Sequence, residues 1–210
     1  MSLYLGKIHY WLFDKILWFQ GLEKEIENLA LQENFDINNL SDEINKEYGE
    51  RLPDKDLEEL IDKSNIHGWL QSKINCAEGR MAAWTKLILE NCDGAIEKMI
   101  SIYKKQGIEA AIKVKDGGKA ENAKDIYERM NDFILDAMPC DRVNEVIISE
   151  EEQVIWKRRV CVHKDTWEKE GVNVNIFYSL RNQWIKAFVN EINNNYEYIE
   201  NGENFEIRRK

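Results

Sequence analysis

The sequence predicts an α+β chain that is mainly α: a helical N-terminal two-thirds packed against a small C-terminal antiparallel β-sheet with one long helix. Three observations lead there. Apolar residues recur at steps of three and four over most of residues 5–137. From Val143 onward the pattern changes to runs of β-branched residues. Only 2 Pro and 11 Gly interrupt 210 residues, which favours long helices and few loops. No stretch has the composition of a flexible linker. The chain is therefore read as a single domain, 1–210, helical over residues 1–138 and α+β over residues 139–210.

The first helix carries Leu5, Ile8, Leu12, Ile16, Phe19, Leu22, Ile26 and Leu29 on one face. Residues 32–53 are polar and rich in Asn, and read as a loop with room for one short helix. Asp54 or Asp56 caps a helix through Leu57, Leu60 and Ile61. The next helix presents Ile66, Leu70, Ile74, Ala77, Met81, Trp84 and Ile88. Asp93 caps another, striped by Ile96, Met99, Tyr103, Ala110 and Val114 and ended by Gly117-Gly118. Residues 120–137 form a helix stopped by Pro139. Two strands, 143–149 and 153–162, flank the acidic turn Glu150-Glu151-Glu152. A helix over 175–192 follows. Tyr196–Ile199, Asn201-Gly202 and Phe205–Ile207 read as a hairpin whose Asn-Gly supplies the positive φ of a primed turn.

Composition narrows the function classes. Lys and Arg number 29 against 39 Asp and Glu, a net charge of −10. Duplex nucleic acid and anionic membranes both reward a basic surface, so neither is expected as a partner. No apolar run reaches the ~18 residues of a membrane span. Met1-Ser2-Leu3-Tyr4 lacks the basic start of a signal peptide, and His9, Asp14 and Lys15 break the apolar stretch behind it. The four cysteines, Cys76, Cys92, Cys140 and Cys161, have no CxxC spacing. A reducing cytoplasm is the expected compartment. Gly117-Gly118-Lys119 lacks the form of a phosphate loop, and Arg208-Arg209-Lys210 is too short a basic tail to indicate nucleic acid.

Two patterns carry chemistry. The first is an internal echo. Ile8-His9-Tyr10-Trp11-Leu12-Phe13-Asp14-Lys15-Ile16 matches Ile66-His67-Gly68-Trp69-Leu70-Gln71-Ser72-Lys73-Ile74 at six of nine positions, and Gly21 aligns with Gly79. It sets His9 and His67 at equivalent places on two helices. They are candidate ligands for a divalent metal held between facing helices. Glu78 lies ~16 Å along the helix from His67, too far to share the ion. The di-iron Glu-x-x-His motif and any haem attachment motif are missing. The plainer reading is a hydrogen-bonded pair at a helix contact. Trp11, Trp18, Trp69, Trp84 and Tyr10 either line an aromatic helical pocket or pack as core.

The second pattern is Cys161-x-His163. On an extended strand Val154, Trp156, Arg158, Val160 and Val162 point one way, and Ile155, Lys157, Arg159, Cys161 and His163 the other. That puts a thiol, an imidazole and the Arg159 guanidinium on one face. Cys161 is then a candidate nucleophile, His163 its base, Asp165 the group orienting the imidazole, and Arg159 or Arg158 a carboxylate clamp. The plainer reading is a half-buried strand cysteine and a surface histidine.

The stretch Asp93-Gly94-Ala95-Ile96-Glu97-Lys98-Met99-Ile100, continuing through Tyr103 to Gly107 and Ala111, and the later Cys161-Val162-His163-Lys164-Asp165-Thr166-Trp167 segment resemble the L-2-amino-thiazoline-4-carboxylate hydrolase-like family over about residues 78–175. The resemblance implies a bacterial cytoplasmic protein and ring-opening hydrolysis of a small cyclic amidine-like acid, with Cys161 and Trp167 as the shared residues. The expected function is therefore a small-molecule hydrolase-like protein acting on a cyclic amidine-like or amide acid. The alternative is a non-catalytic sensor that binds a small molecule or a metal in an aromatic helical pocket. A small molecule is the expected partner, and a homo-oligomer stays open.

Overall fold

The computed structural model describes residues 4–118 and 120–210. Met1, Ser2, Leu3 and Lys119, which entered the reading of the N-terminus and of the Gly117-Gly118-Lys119 stretch, lie outside them. The described residues are mainly helical, with one four-stranded antiparallel sheet near the C-terminus, so the expected α+β, mainly α class holds. No helix among them is long and apolar enough to cross a membrane. The chain divides into two compact units: Met1–Ala95 with His163–Asn173, and Ile96–Val162 with Val174–Lys210.

The first unit is helical. It contains α1 (Lys7–Gln32), α2 (Ile37–Tyr48), the single turn α3 (Leu57–Leu60), α4 (Ile66–Asn91) and the short α7 (Lys164–Lys169). The polar 32–53 segment holds more helix than its composition suggests, because Ile44 alone is enough to anchor α2. α7 was not legible: six residues are too few for a periodic stripe, and its anchor is one fully buried Trp167. α1 and α4 have 26 residues each. Their partners stay 56 to 58 positions apart from one end to the other: His9 with His67, Phe13 with Trp69, Glu23 with Arg80. A constant offset means that the helices run parallel and in register, so the echo in the sequence is also an echo in space.

Their seam holds a buried ionic network. Arg80 Nε donates to both oxygens of Glu23, at 3.0 and 3.1 Å, and Nη1 donates to the carbonyls of Gly49 and Glu50. The Glu23 side chain is 0% exposed and that of Arg80 1%. Arg51 bridges Glu23 and Glu27, whose other oxygen accepts from Ser41. Beside this network the Tyr48 ring lies on Gly79, where a Cβ would come within 2.2 Å of it.

The second unit contains α5 (Ala95–Gly117, its first residue in the other unit), α6 (Ala123–Asn131), a 3-10 turn at Pro139–Asp141, β1 (Asn144–Ser149), β2 (Gln153–Arg158), α8 (Val174–Ile192), β3 (Tyr196–Asn201) and β4 (Asn204–Arg209). α6 ends well before the expected Ala137. Asn131 donates its side-chain amide to the Tyr127 carbonyl, and the chain turns at Asp132 to bury Ile134 and Leu135 in succession. The strand order is β1-β2-β4-β3, all antiparallel. Asn201 pairs with Asn204, so the hairpin loop is Gly202-Glu203, one residue later than expected, and only Gly202 has positive φ. Glycine at the first central position is the II′ pattern. Arg208 and Arg209 belong to β4 and pair with Glu197 and Glu152. α5 meets α8 at Gly107, where a Cβ would lie 2.4 Å from the Trp184 carbonyl oxygen, and Trp184 Nε1 donates to Gln106.

Two outcomes follow from this packing. Removing one member of a buried pair strands its partner's charge, which costs about 3–5 kcal/mol. Glu23→Ala should therefore lose stability of that order in urea unfolding, whereas Glu27→Ala, on the wetter side of the network, should lose far less. In the other unit, burial raises the pKa of Tyr103, whose hydroxyl has no hydrogen-bond partner. A raised folded-state pKa gives stability that is present below the unfolded value of about 10 and lost above it, because only the unfolded chain ionises there. Tyr103→Phe should be at least as stable as the parent protein at neutral pH, and its advantage should grow between roughly pH 9 and 11.

Candidate functional site

β2 sets the geometry of the site. Its side chains alternate as expected up to Arg158: Val154 and Trp156 are buried on the inward face, and Arg158 follows them on that face. Trp156 contacts Tyr127, Tyr198 and Phe205, with ring centroids 4.9, 5.9 and 5.9 Å away. The strand stops at Arg158 because its neighbours stop. β1 begins opposite it at Asn144, and β4 begins at Asn204, opposite Lys157.

α8 faces this end of the sheet with Asn175, Tyr178, Ser179, Asn182 and Gln183, spaced as one side of a helix. With Arg158, Glu200, Gly202 and Phe205 they line an open cleft of about 280 Å³. The Arg158 guanidinium lies 3.4 Å from the centre of the Tyr178 ring and 5.2 Å from that of Phe205. Its Nε is buried without a hydrogen-bond partner. Burial, and then the neighbouring Arg181, lower its pKa. Arg181 sits on the Tyr178 ring, 5.0 Å from its centre, but it is neutralised by Asp136. Two guanidiniums and one carboxylate leave this corner with a net positive charge. Across the cleft a buried relay orients Glu200: Tyr198 donates to Asn182 Oδ1, and Asn182 Nδ2 donates to Glu200. Lys186 pairs with Glu200 at 3.2 Å in the open.

Cys161 lies just beyond β2. Its Sγ is 3.1 Å from the Tyr178 hydroxyl. Burial, and then this contact, raise the pKa of Tyr178, so the phenol remains protonated and can donate to a thiolate.

The other members of the expected constellation have partners of their own in the structure. The alternation that put Cys161 and His163 on one face needs a strand through residue 163, and the strand ends at Arg158. Cys161 falls in the second unit and His163 in the first. His163 is 2% exposed, and its Nδ1 is 2.7 Å from Glu78 Oε1, which also accepts from Trp167 Nε1. The carboxylate on this imidazole is thus Glu78, while Asp165 is exposed in the first turn of α7. Arg159 is exposed, so the guanidinium in the cleft is that of Arg158.

His9 and His67 do meet, with Nε2 to Nε2 at 3.3 Å. His9 is buried beneath the contact and His67 is exposed. Gly6 N donates to His9 Nδ1 at 2.9 Å, capping α1. A neutral His9 therefore carries its proton on Nε2 and donates it to His67. Burial, and then His67, lower the pKa of His9. Among the described residues no three His, Cys, Asp or Glu cluster as a metal cage. Of the expected aromatic set, Trp84 is core, Trp11 and Trp69 lie under the ammonium groups of Lys15 and Lys73, and Tyr10 donates to Glu58. The aromatic rings in the α8 cleft are instead Tyr178 and Phe205.

The polar stripe of α8 was readable in the sequence at positions 175, 179, 182, 183 and 186. The apolar stripe of the same helix drew the reading instead. Comparisons with family models, with curated proteins and with solved structures gave no match to this chain.

Proposed function

We propose that this chain is a small-molecule hydrolase-like protein that takes a small organic acid into the α8 cleft. One observation carries the reading: Arg158, whose Nε has no hydrogen-bond partner, is stacked on Tyr178 at the wall of a cleft otherwise lined by amides, hydroxyls, Phe205 and the carboxylate of Glu200, which Lys186 pairs. A planar carboxylate fits a guanidinium with both oxygens, and each charge-assisted hydrogen bond contributes about 1.5–3 kcal/mol. Glu200 offers an acceptor for a cationic nitrogen on the same ligand, which suits a cyclic amidine-like or amide acid.

Cys161 is the nucleophile of this reading. Its thiolate, held by the Tyr178 hydroxyl and the charge of Arg158, adds to the amide or amidine carbon. The C–N bond breaks, and the leaving nitrogen takes a proton from solvent water, which accepted the thiol proton when the thiolate formed. Water then cleaves the thioester-level intermediate and restores the thiol. A second reading, non-catalytic binding of the same acid, draws on a specific fact: His9, His67 and His163 all belong to the first unit, so the unit that holds Cys161 supplies no imidazole base.

Two measurements decide between them. Arg158→Gln should weaken the binding of small carboxylates by about 10–100-fold in calorimetry, and Arg158→Lys should recover only a fraction of it. Unchanged binding rejects both readings. Iodoacetamide alkylation of Cys161 should titrate below the ordinary thiol value of about 8.5, and Arg158→Gln should move the midpoint upward. An ordinary midpoint that Arg158→Gln leaves in place favours the binder over the hydrolase.

A further inference from the structure

We propose that the paired imidazoles of His9 and His67 chelate a single first-row transition-metal ion such as Zn²⁺ at the heads of α1 and α4. The inference is independent of the α8 cleft. Two nitrogens bonded to one tetrahedral zinc at about 2.0–2.1 Å stand roughly 3.3–3.4 Å apart. The two Nε2 atoms are 3.3 Å apart, the bite of such an ion. The rings meet at 52°, centroids 5.4 Å apart, so both lone pairs can turn toward a common point instead of stacking. The parallel register of α1 and α4 fixes this approach in the backbone.

The protons balance without an external base. His9 carries its proton on Nε2 because Gly6 N–H occupies Nδ1. When the metal takes Nε2, that proton moves to Nδ1, and Gly6 N–H, at an exposed residue, turns to water. His67 already presents Nε2 as an acceptor. With two protein ligands, the remaining positions of the ion go to water or to an exogenous ligand, which makes it an exchangeable ion, not a structural one.

The test is calorimetric titration of the whole chain with ZnCl₂ at pH 7.5. One zinc per chain is expected. His67→Ala, at an exposed position, should weaken binding by about tenfold or more. His9→Asn, which keeps an acceptor for Gly6 N–H, should do the same. Circular dichroism establishes that both variants are folded, and if one is not, the other carries the test. The proposal is overturned by no binding, by binding that both folded variants retain, or by binding that alkylation of Cys140 and Cys161 abolishes, the mark of a thiolate site.

Discussion

Arg158 is the charge that the second unit is built to display. A guanidinium withdrawn from water loses several kcal/mol of hydration when fully buried, and a cation–π contact returns about 2 kcal/mol. Here the withdrawal is partial, and the cleft still wets the group. Even so, Tyr178 and Phe205 offset only a fraction of the loss, and Arg181 adds repulsion that Asp136 does not fully cancel. An anion in the cleft would supply what the fold leaves out. The arrangement also explains the phenol: sandwiched by two cations and bonded to sulfur, Tyr178 stays protonated because burial outweighs both positive neighbours.

How Arg158 comes to point inward is legible in the sequence itself. The period-two alternation from Val154 through Trp156 puts it on the buried face. The same rule failed three residues later, and for a definable reason. Alternation holds only while a strand has neighbours, and the lengths of β1 and β4 are not written in β2. The pairing of Cys161 with His163 was an extrapolation past that point. Glu78 as the partner of His163 was out of reach for a different reason: a contact across 85 residues leaves no local signature. The helices were legible wherever they were long and amphipathic. α7 and the early end of α6 were not, because tertiary burial of Trp167, Ile134 and Leu135 decides them.

The echo between α1 and α4 was a sequence pattern with a spatial meaning. Repeated Ile-His-x-Trp-Leu heads on two parallel helices bring the same atoms of both copies to one place, which accounts for the His9–His67 contact. The pattern does not persist down the helices. Where one copy has Glu23 the other has Met81, and the buried ion pair is made between inexact equivalents, Glu23 and Arg80. The heads are alike and the bodies differ. Such a division suits a pair of helices whose ends share one task while their middles fill different environments.

The chemistry open to Cys161 depends on the same guanidinium. A thiol normally becomes a nucleophile by giving its proton to an imidazole, and the second unit contains none. Its neighbour Tyr178, with a pKa raised by burial, cannot take that proton at neutral pH but can donate to the sulfur once the proton is gone. Within the second unit the activation open to this thiol is electrostatic, and Arg158 interacts with both Tyr178 and Cys161. One residue would serve twice, drawing an anionic ligand into the cleft and favouring the anionic sulfur at its edge. The two roles compete, since a bound carboxylate neutralises the charge that sustains the thiolate. A substrate that is itself a zwitterion, with its cationic nitrogen toward Glu200, resolves this competition better than a simple acid does, because its own positive end restores some of the field that its carboxylate removes.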